Sequence, residues 1–147
     1  TAKLLILAGA DSTKLKSEIA NRNLQDSVIV TDDVFDIDNY YAATDFTFYS
    51  SEYESFCLGI LEGMRHGLPS VSFDVGGIPE VVIDRETGFL VPFGDTQALG
   101  KAIARLAGNE RLRATMGEKA KKRAIESFSA DTVVNSYLEA YRKVMNH

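Results

Sequence analysis

Short runs rich in apolar, β-branched or aromatic residues, at Lys3 to Ala8, Val28 to Thr31, Phe46 to Tyr49 and Ser70 to Phe73, alternate with stretches that carry helical spacing or helix caps. This alternation narrows the fold more than any other feature, because strands separated by helices cannot pair as hairpins and are joined by right-handed parallel crossovers. Lys3 to Ala8 is nearly continuous in apolar residues up to Gly9, as expected for a strand buried on both faces. Asp11 or Ser12 caps a helix through about Asn23, with Leu15, Ile19 and Leu24 at helical spacing. Asp36 or Asp38 opens a short helix through Tyr40, Tyr41 and Ala43. Thr87 to Pro92 reads as a turn and a short strand, and Asp95 caps a helix carrying Leu99, Ala102, Ile103 and Leu106. The expected class is therefore α/β: a Rossmann-like open parallel sheet with helices on both faces.

Residues 110 to 146 read as two helices parted near Phe128 and Ser129. The first is basic around Lys119 to Arg123, and the second is expected to bury Val133, Val134, Tyr137, Leu138 and Tyr141 at helical spacing. No repeat, low-complexity tract or linker interrupts residues 1–147, so one domain is expected. The chain opens at Thr1 rather than methionine and enters a strand at once, which suggests an excised piece of a longer protein.

A net charge of −5 and a pI near 5.0 leave no basic face for nucleic acid. Cys57 is the only cysteine, which excludes an intramolecular disulfide and favours a reducing compartment. No apolar run approaches the roughly 20 residues that cross a bilayer. A cytoplasmic location without a transmembrane segment is expected.

Chemistry concentrates between Ser50 and Glu80. This stretch reads as a loop, a helix beginning near Cys57 or Leu58, the strand Ser70 to Phe73, and the glycine turn Gly76-Gly77-Ile78-Pro79-Glu80. In an open parallel sheet, the strand-to-helix loops at the carboxyl edge carry the ligand. Glu54 falls in such a loop and Glu62 on the following helix, about one turn beyond Leu58, so the two carboxylates are expected to face one crevice. Carboxylates accept hydrogen bonds from sugar or ribose hydroxyls, and free amides at a helix N-terminus attract phosphate. A nucleotide sugar offers both kinds of group.

The run Glu54-Ser-Phe-Cys-Leu-Gly-Ile-Leu-Glu62, with Gly67-Leu-Pro69, Gly76-Gly-Ile-Pro-Glu80, Thr87-Gly88-Phe-Leu-Val-Pro92 and Gly94-Asp95, resembles the donor-binding signature of the group 1 retaining glycosyltransferases with the GT-B fold. The resemblance extends over essentially the whole chain and implies one half of a GT-B fold. It implies that Glu54, the catalytic-side carboxylate, contacts hydroxyls of the donor sugar, and that Glu62 binds the ribose hydroxyls. Ser55, Phe56, Cys57 and Leu58 correspond to the segment whose backbone amides meet sugar hydroxyls and phosphate, and Gly76 and Gly77 to the turn that lets main chain approach the ligand. Main-chain groups near Thr31 to Val34 would lie close to the base. The family pattern has glycine where this chain has Ser55 and Cys57. The resemblance further implies a nucleotide-sugar donor, an unknown saccharide or lipid-linked acceptor, no cofactor and no metal. The N-terminal acceptor domain, the first strand and helix of this domain, and an Arg and Lys pair that neutralises the diphosphate would lie upstream. Membrane contact, if any, would come through that missing domain. The alternatives are a non-catalytic nucleotide-sugar-binding or interaction module, and a GT-B epimerase or phosphorylase.

Several residues have plainer readings. Glu54 alone is an ordinary solvated loop glutamate. Gly76 and Gly77 could simply make a tight turn, with Pro79 and Glu80 suited to a helix start. Leu58 and Leu61 flank Glu62, where a carboxylate without a ligand would lose hydration. Cys57 reads as a small buried residue rather than a thiolate nucleophile. His66 near a helix C-terminus reads as solvated or dipole-complementing, and the terminal His147 as disordered. Asp32, Asp33, Asp36 and Asp38 lack the EF-hand spacing and read as a solvated, helix-capping loop.

Overall fold

The computed structural model describes residues 2–8, 11–32 and 34–145, so that Gly9, Asp33 and His147 lie outside the described residues. The chain divides into two compact units, residues 1–40 and 41–147.

In the first unit, β1 (Leu4–Ala8) and β2 (Val28–Asp32) pair in parallel, Leu4 opposite Val28 and Ala8 opposite Asp32, and α1 (Thr13–Asn21) connects them. Ser12 occupies the N-cap position of α1, but its side chain makes no capping bond. Asp11 does that work: its Oδ1 accepts from the Thr13 amide at 2.9 Å and from the Thr13 hydroxyl at 2.5 Å. Those bonds hold the Asp11 carboxyl below its ordinary range. The expected two-sided burial of the first strand is corrected, since every residue from Leu4 to Ala8 is only half-buried. An apolar run shows that both faces of a strand are apolar; burying both also needs covering layers, and among the described residues β1 pairs with β2 alone.

The boundary between units falls within α2 (Ile37–Ala42). The second unit continues with β3 (Thr47–Tyr49), α3 (Leu58–Arg65), β4 (Ser70–Phe73), α4 (Ile78–Val81), β5 (Gly88–Val91), α5 (Thr96–Ala107), α6 (Glu110–Phe128) and α7 (Ala130–Met145). Its three strands form a parallel sheet in the order β3-β4-β5, with Ser70 opposite both Thr47 and Gly88.

Strand alternation divides the side chains between two apolar clusters. Val71, Phe73, Phe89 and Val91 pack with Leu99, Ala102 and Leu106 of α5 and with Met116 of α6. Tyr49 and Leu90 pack with Ile60 and Met64 of α3, Ile78 and Val81 of α4, and Ala120 and Ala124 of α6. This is the expected Rossmann-like arrangement, with helices on both faces of the sheet. Ile60, Met64 and Leu106 are wholly buried, each contributing roughly 1.5–3 kcal/mol. On the α3 side the strands carry small polar residues that are satisfied in place: the Thr47 and Ser70 hydroxyls bond at 2.7 Å, and the Ser72 hydroxyl donates to the Phe73 carbonyl at 3.1 Å.

Helix α3 stops at Gly67, where φ is 78°. The Leu68 and Gly67 amides donate back to the Gly63 and Met64 carbonyls at 3.0 and 2.9 Å, a Schellman ending. Helix α5 is capped as expected, Asp95 Oδ1 accepting from the Ala98 amide at 2.8 Å. Arg123 of α6 donates to the carbonyls of Val81 at 2.8 Å and Glu80 at 2.7 Å, at the end of α4. Its guanidinium lies over the Phe128 ring, 5.4 Å from the centroid.

The division of the C-terminal segment near Phe128 and Ser129 holds, but the burial expected of α7 does not. Val133, Val134, Tyr137, Leu138 and Tyr141 are 40–64% exposed, and no residue of α7 is buried. Helical spacing of apolar residues shows that a face wants covering; it does not supply the cover.

Candidate functional site

Two loops at the carboxyl ends of β3 and β4 meet main chain against main chain. The Gly77 amide donates to the Glu54 carbonyl at 3.0 Å. A Cβ on Gly76 would lie 1.9 Å from the Glu54 oxygen, and one on Gly77 would lie 2.1 Å from the Ser55 oxygen. Gly76 also has φ 53°, a left-handed value that side chains resist. The glycine turn therefore fixes the path of the Glu54–Ser55 loop before any ligand is considered.

Glu54 is half-buried, and its Oε1 accepts from the Ser51 hydroxyl at 2.9 Å. Cys57 is the N-cap of α3 with φ 59° and ψ 71°. Of the two departures from the family's glycines, only Cys57 occupies a left-handed conformation; Ser55 does not. Burial pushes the Cys57 thiol up, with the Glu54 charge acting in the same direction. It is a buried thiol, not a thiolate nucleophile. Phe56 is half-buried and packs edge-on against Phe128, centroids 5.6 Å apart. Ser55 is exposed, and so is Leu58, the first residue of α3, at 64%.

Glu62 is exposed and lies four residues beyond Leu58 on α3, hence on the same stripe of the helix. The expectation that Leu61 flanks it on that side is corrected: Leu61 is half-buried and packs into the apolar cluster under α3. Glu62 Oε2 accepts from the Tyr41 hydroxyl at 3.1 Å, and the same hydroxyl lies 3.1 Å from the Gly59 carbonyl. Among the described residues, neither Glu54 nor Glu62 takes part in a salt bridge. In the first turn of α3 the Ile60 amide already donates to the Cys57 carbonyl at 3.0 Å, whereas the Leu58 and Gly59 amides precede any acceptor within the helix, as at any helix start.

Sequence reasoning missed both groups that hold the carboxylates. The Ser51–Glu54 bond spans three residues and was readable as a local loop contact. Tyr41 lies twenty-one positions from Glu62, and its only signal is an aromatic pair closing a short helix. His66 is the C-cap of α3 and stacks on Tyr41, centroids 5.2 Å apart at 26°. In the acidic cluster, Asp32 pairs with Lys16 at 2.5 Å, which holds its carboxyl below the ordinary range. Among the described residues, no group of three or more His, Cys, Asp or Glu is placed to hold a metal ion. One hollow, lined by Glu118, Lys121, Lys122, Ile125 and Glu126, and another, lined by Thr44, Asp45, Gly67, Glu110, Arg113 and Ala114, do not include either carboxylate.

Comparison with known proteins shows which family the chain resembles. N-acetyl-alpha-D-glucosaminyl L-malate synthase of Bacillus anthracis is 32% identical over 145 residues, 98% of this chain and 38% of that protein. The structure of sucrose-phosphate synthase from Thermosynechococcus elongatus superposes with a TM-score of 0.87 at 28% identity, over 98% of this chain and 39% of that one. Anabaena Alr3699/HepE, solved in complex with UDP, superposes with a TM-score of 0.89 at 25% identity, over 97% of this chain and 41% of its own; it has also been solved with UDP-glucose. The chain thus spans 38–41% of the length of these proteins. Residues 2–123 match the model of the glycosyl transferases group 1, and the chain belongs to that family.

Proposed function

We propose that the chain is the nucleotide-sugar donor-binding domain of a retaining glycosyltransferase with the GT-B fold, a hexosyl transferase acting in the cytoplasm. The observation that carries this reading is the meeting of the Gly76–Gly77 turn with the Glu54–Ser55 loop at the start of α3. That contact sets a carboxylate, a run of backbone and a helix N-terminus in one short segment. Glu62 takes the ribose hydroxyls, and Glu54, held by Ser51, takes hydroxyls of the sugar. The amides at the start of α3 face the leaving diphosphate, whose charge they stabilise as the glycosidic bond breaks. The UDP and UDP-glucose complexes of the Anabaena relative support this class of ligand. The acceptor, a saccharide or lipid-linked group, belongs to a further domain, and these residues alone are expected to bind nucleotide weakly and turn nothing over.

Cys57 favours this reading over a binding module that has lost activity. It adopts the left-handed conformation that glycine would take there and turns its side chain into the core, so the path of the loop survives the substitution. The test is titration with UDP, GDP and ADP and their sugar conjugates, repeated with Glu62→Ala. Loss of a charged hydrogen-bond partner is expected to weaken ribonucleotides by about 1–3 kcal/mol. Unchanged affinity would reject Glu62 as the ribose ligand.

A further inference from the structure

We infer that Tyr41 is a positioning residue for Glu62, its hydroxyl setting which carboxylate oxygen is turned to the ribose. The inference rests on the proposed role of Glu62 and adds a residue to it. Glu62 is exposed and outside any salt bridge among the described residues, and such a side chain samples several rotamers that binding must freeze. Tyr41 is 7% exposed and reaches Glu62 Oε2 at 3.1 Å. A phenol has one proton to give. Its two acceptors, the Gly59 carbonyl and Glu62 Oε2, lie about one turn apart on α3, and the charged carboxylate is the stronger of them. With Oε2 so engaged, Oε1 is left for a ligand hydroxyl.

The phenol is itself fixed. Its ring stacks on His66, and its hydroxyl is also hydrogen-bonded to that of Tyr49. Tyr49 reaches that place because residue 59 is glycine: a Cβ there would lie 2.6 Å from the Tyr49 oxygen. Tyr49, Tyr41 and Glu62 thus form a line of polar groups leading from the sheet to the helix surface.

The experiment compares UDP, GDP and ADP with their 2′,3′-dideoxy forms by calorimetric titration of the intact protein, taking the tightest-binding nucleotide and its dideoxy partner. The readout is the ratio of the two dissociation constants. Tyr41→Phe keeps the ring and its stacking, and is expected to lower the preference for the ribose form about threefold to tenfold. Glu62→Gln is expected to lower it further, and adding Tyr41→Phe to Glu62→Gln to change it no more. If Tyr41→Phe keeps the full preference while Glu62→Gln loses it, or weakens both nucleotide forms equally, the positioning role is overturned and the ribose role of Glu62 stands. If Glu62→Gln keeps the preference, the ribose role falls, and this inference with it.

Discussion

The contact between the glycine turn and the Glu54–Ser55 loop can be tested by one methyl group. Gly77 has φ −85° and ψ 0°, a negative-φ conformation open to alanine, so Gly77→Ala demands no left-handed backbone and chiefly reports the contact. The new Cβ would stand 2.1 Å from the Ser55 oxygen and 3.0 Å from its carbonyl carbon. Both are main-chain atoms and cannot swing aside as the end of a side chain can. Overpacking of this kind costs about 1–3 kcal/mol, and separating the two loops also stretches the Gly77–Glu54 hydrogen bond, worth about 0.5–1.5 kcal/mol. The expected loss is about 2–4 kcal/mol. With a urea slope of roughly 2 kcal/mol per M, a loss of about 3 kcal/mol lowers the unfolding midpoint by about 1.5 M. Gly100→Ala is the control: it lies within α5 with no atom inside 4 Å of the added carbon, and should stabilise by about 0.5–1 kcal/mol. Opposite signs for one chemical change are expected in urea melts followed by circular dichroism. A Gly77→Ala midpoint within error of the parent would refute the close approach on which the site is built.

Further perturbations probe other parts of the second unit. Arg123→Ala removes two hydrogen bonds and a cation–ring contact, an expected loss of about 2 kcal/mol; Arg123→Lys should recover little, since an ammonium lacks the two-pronged fork, and thermal melts will decide. Burial first, then the Glu62 hydrogen bond, pushes Tyr41 from 10.0 up to about 12. The unfolded chain therefore releases this proton near pH 10 while the native chain keeps it, so its contribution is full below pH 10 and lost as pH rises through about 12. Urea midpoints should fall between pH 9 and pH 11, and Tyr41→Phe should flatten the fall, leaving the part due to half-buried Tyr49, which burial shifts in the same direction. An equal fall in the variant would contradict this assignment.

The order of elements was readable in the sequence because its signals are local. Strands at β2 and β4 follow from β-branched and apolar spacing, and the start of α5 from Asp95, whose capping bond spans three residues. The glycine-like demand at residue 57 was readable from the resemblance, and φ 59° gives it a physical cause. What was not readable depends on partners distant in the chain. Tyr41 meets Glu62 only because α2 ends beside α3, and no spacing within either helix says so. The apolar stripe on α7 reads as burial, but periodicity records the amphipathic character of a helix and not the presence of a neighbour. Leu61 neighbours Glu62 in sequence, whereas the turn of α3 carries it, half-buried, against the core.

The family match ends at Arg123, which grips the end of α4, and five residues beyond it Phe128 supports Phe56 in the loop before α3 while its ring lies under the Arg123 guanidinium. Phe128, past the end of that match, therefore buttresses the rim of the site from outside it. A change at Phe128 would reach the Phe56 loop through this ring contact without altering a residue of the signature.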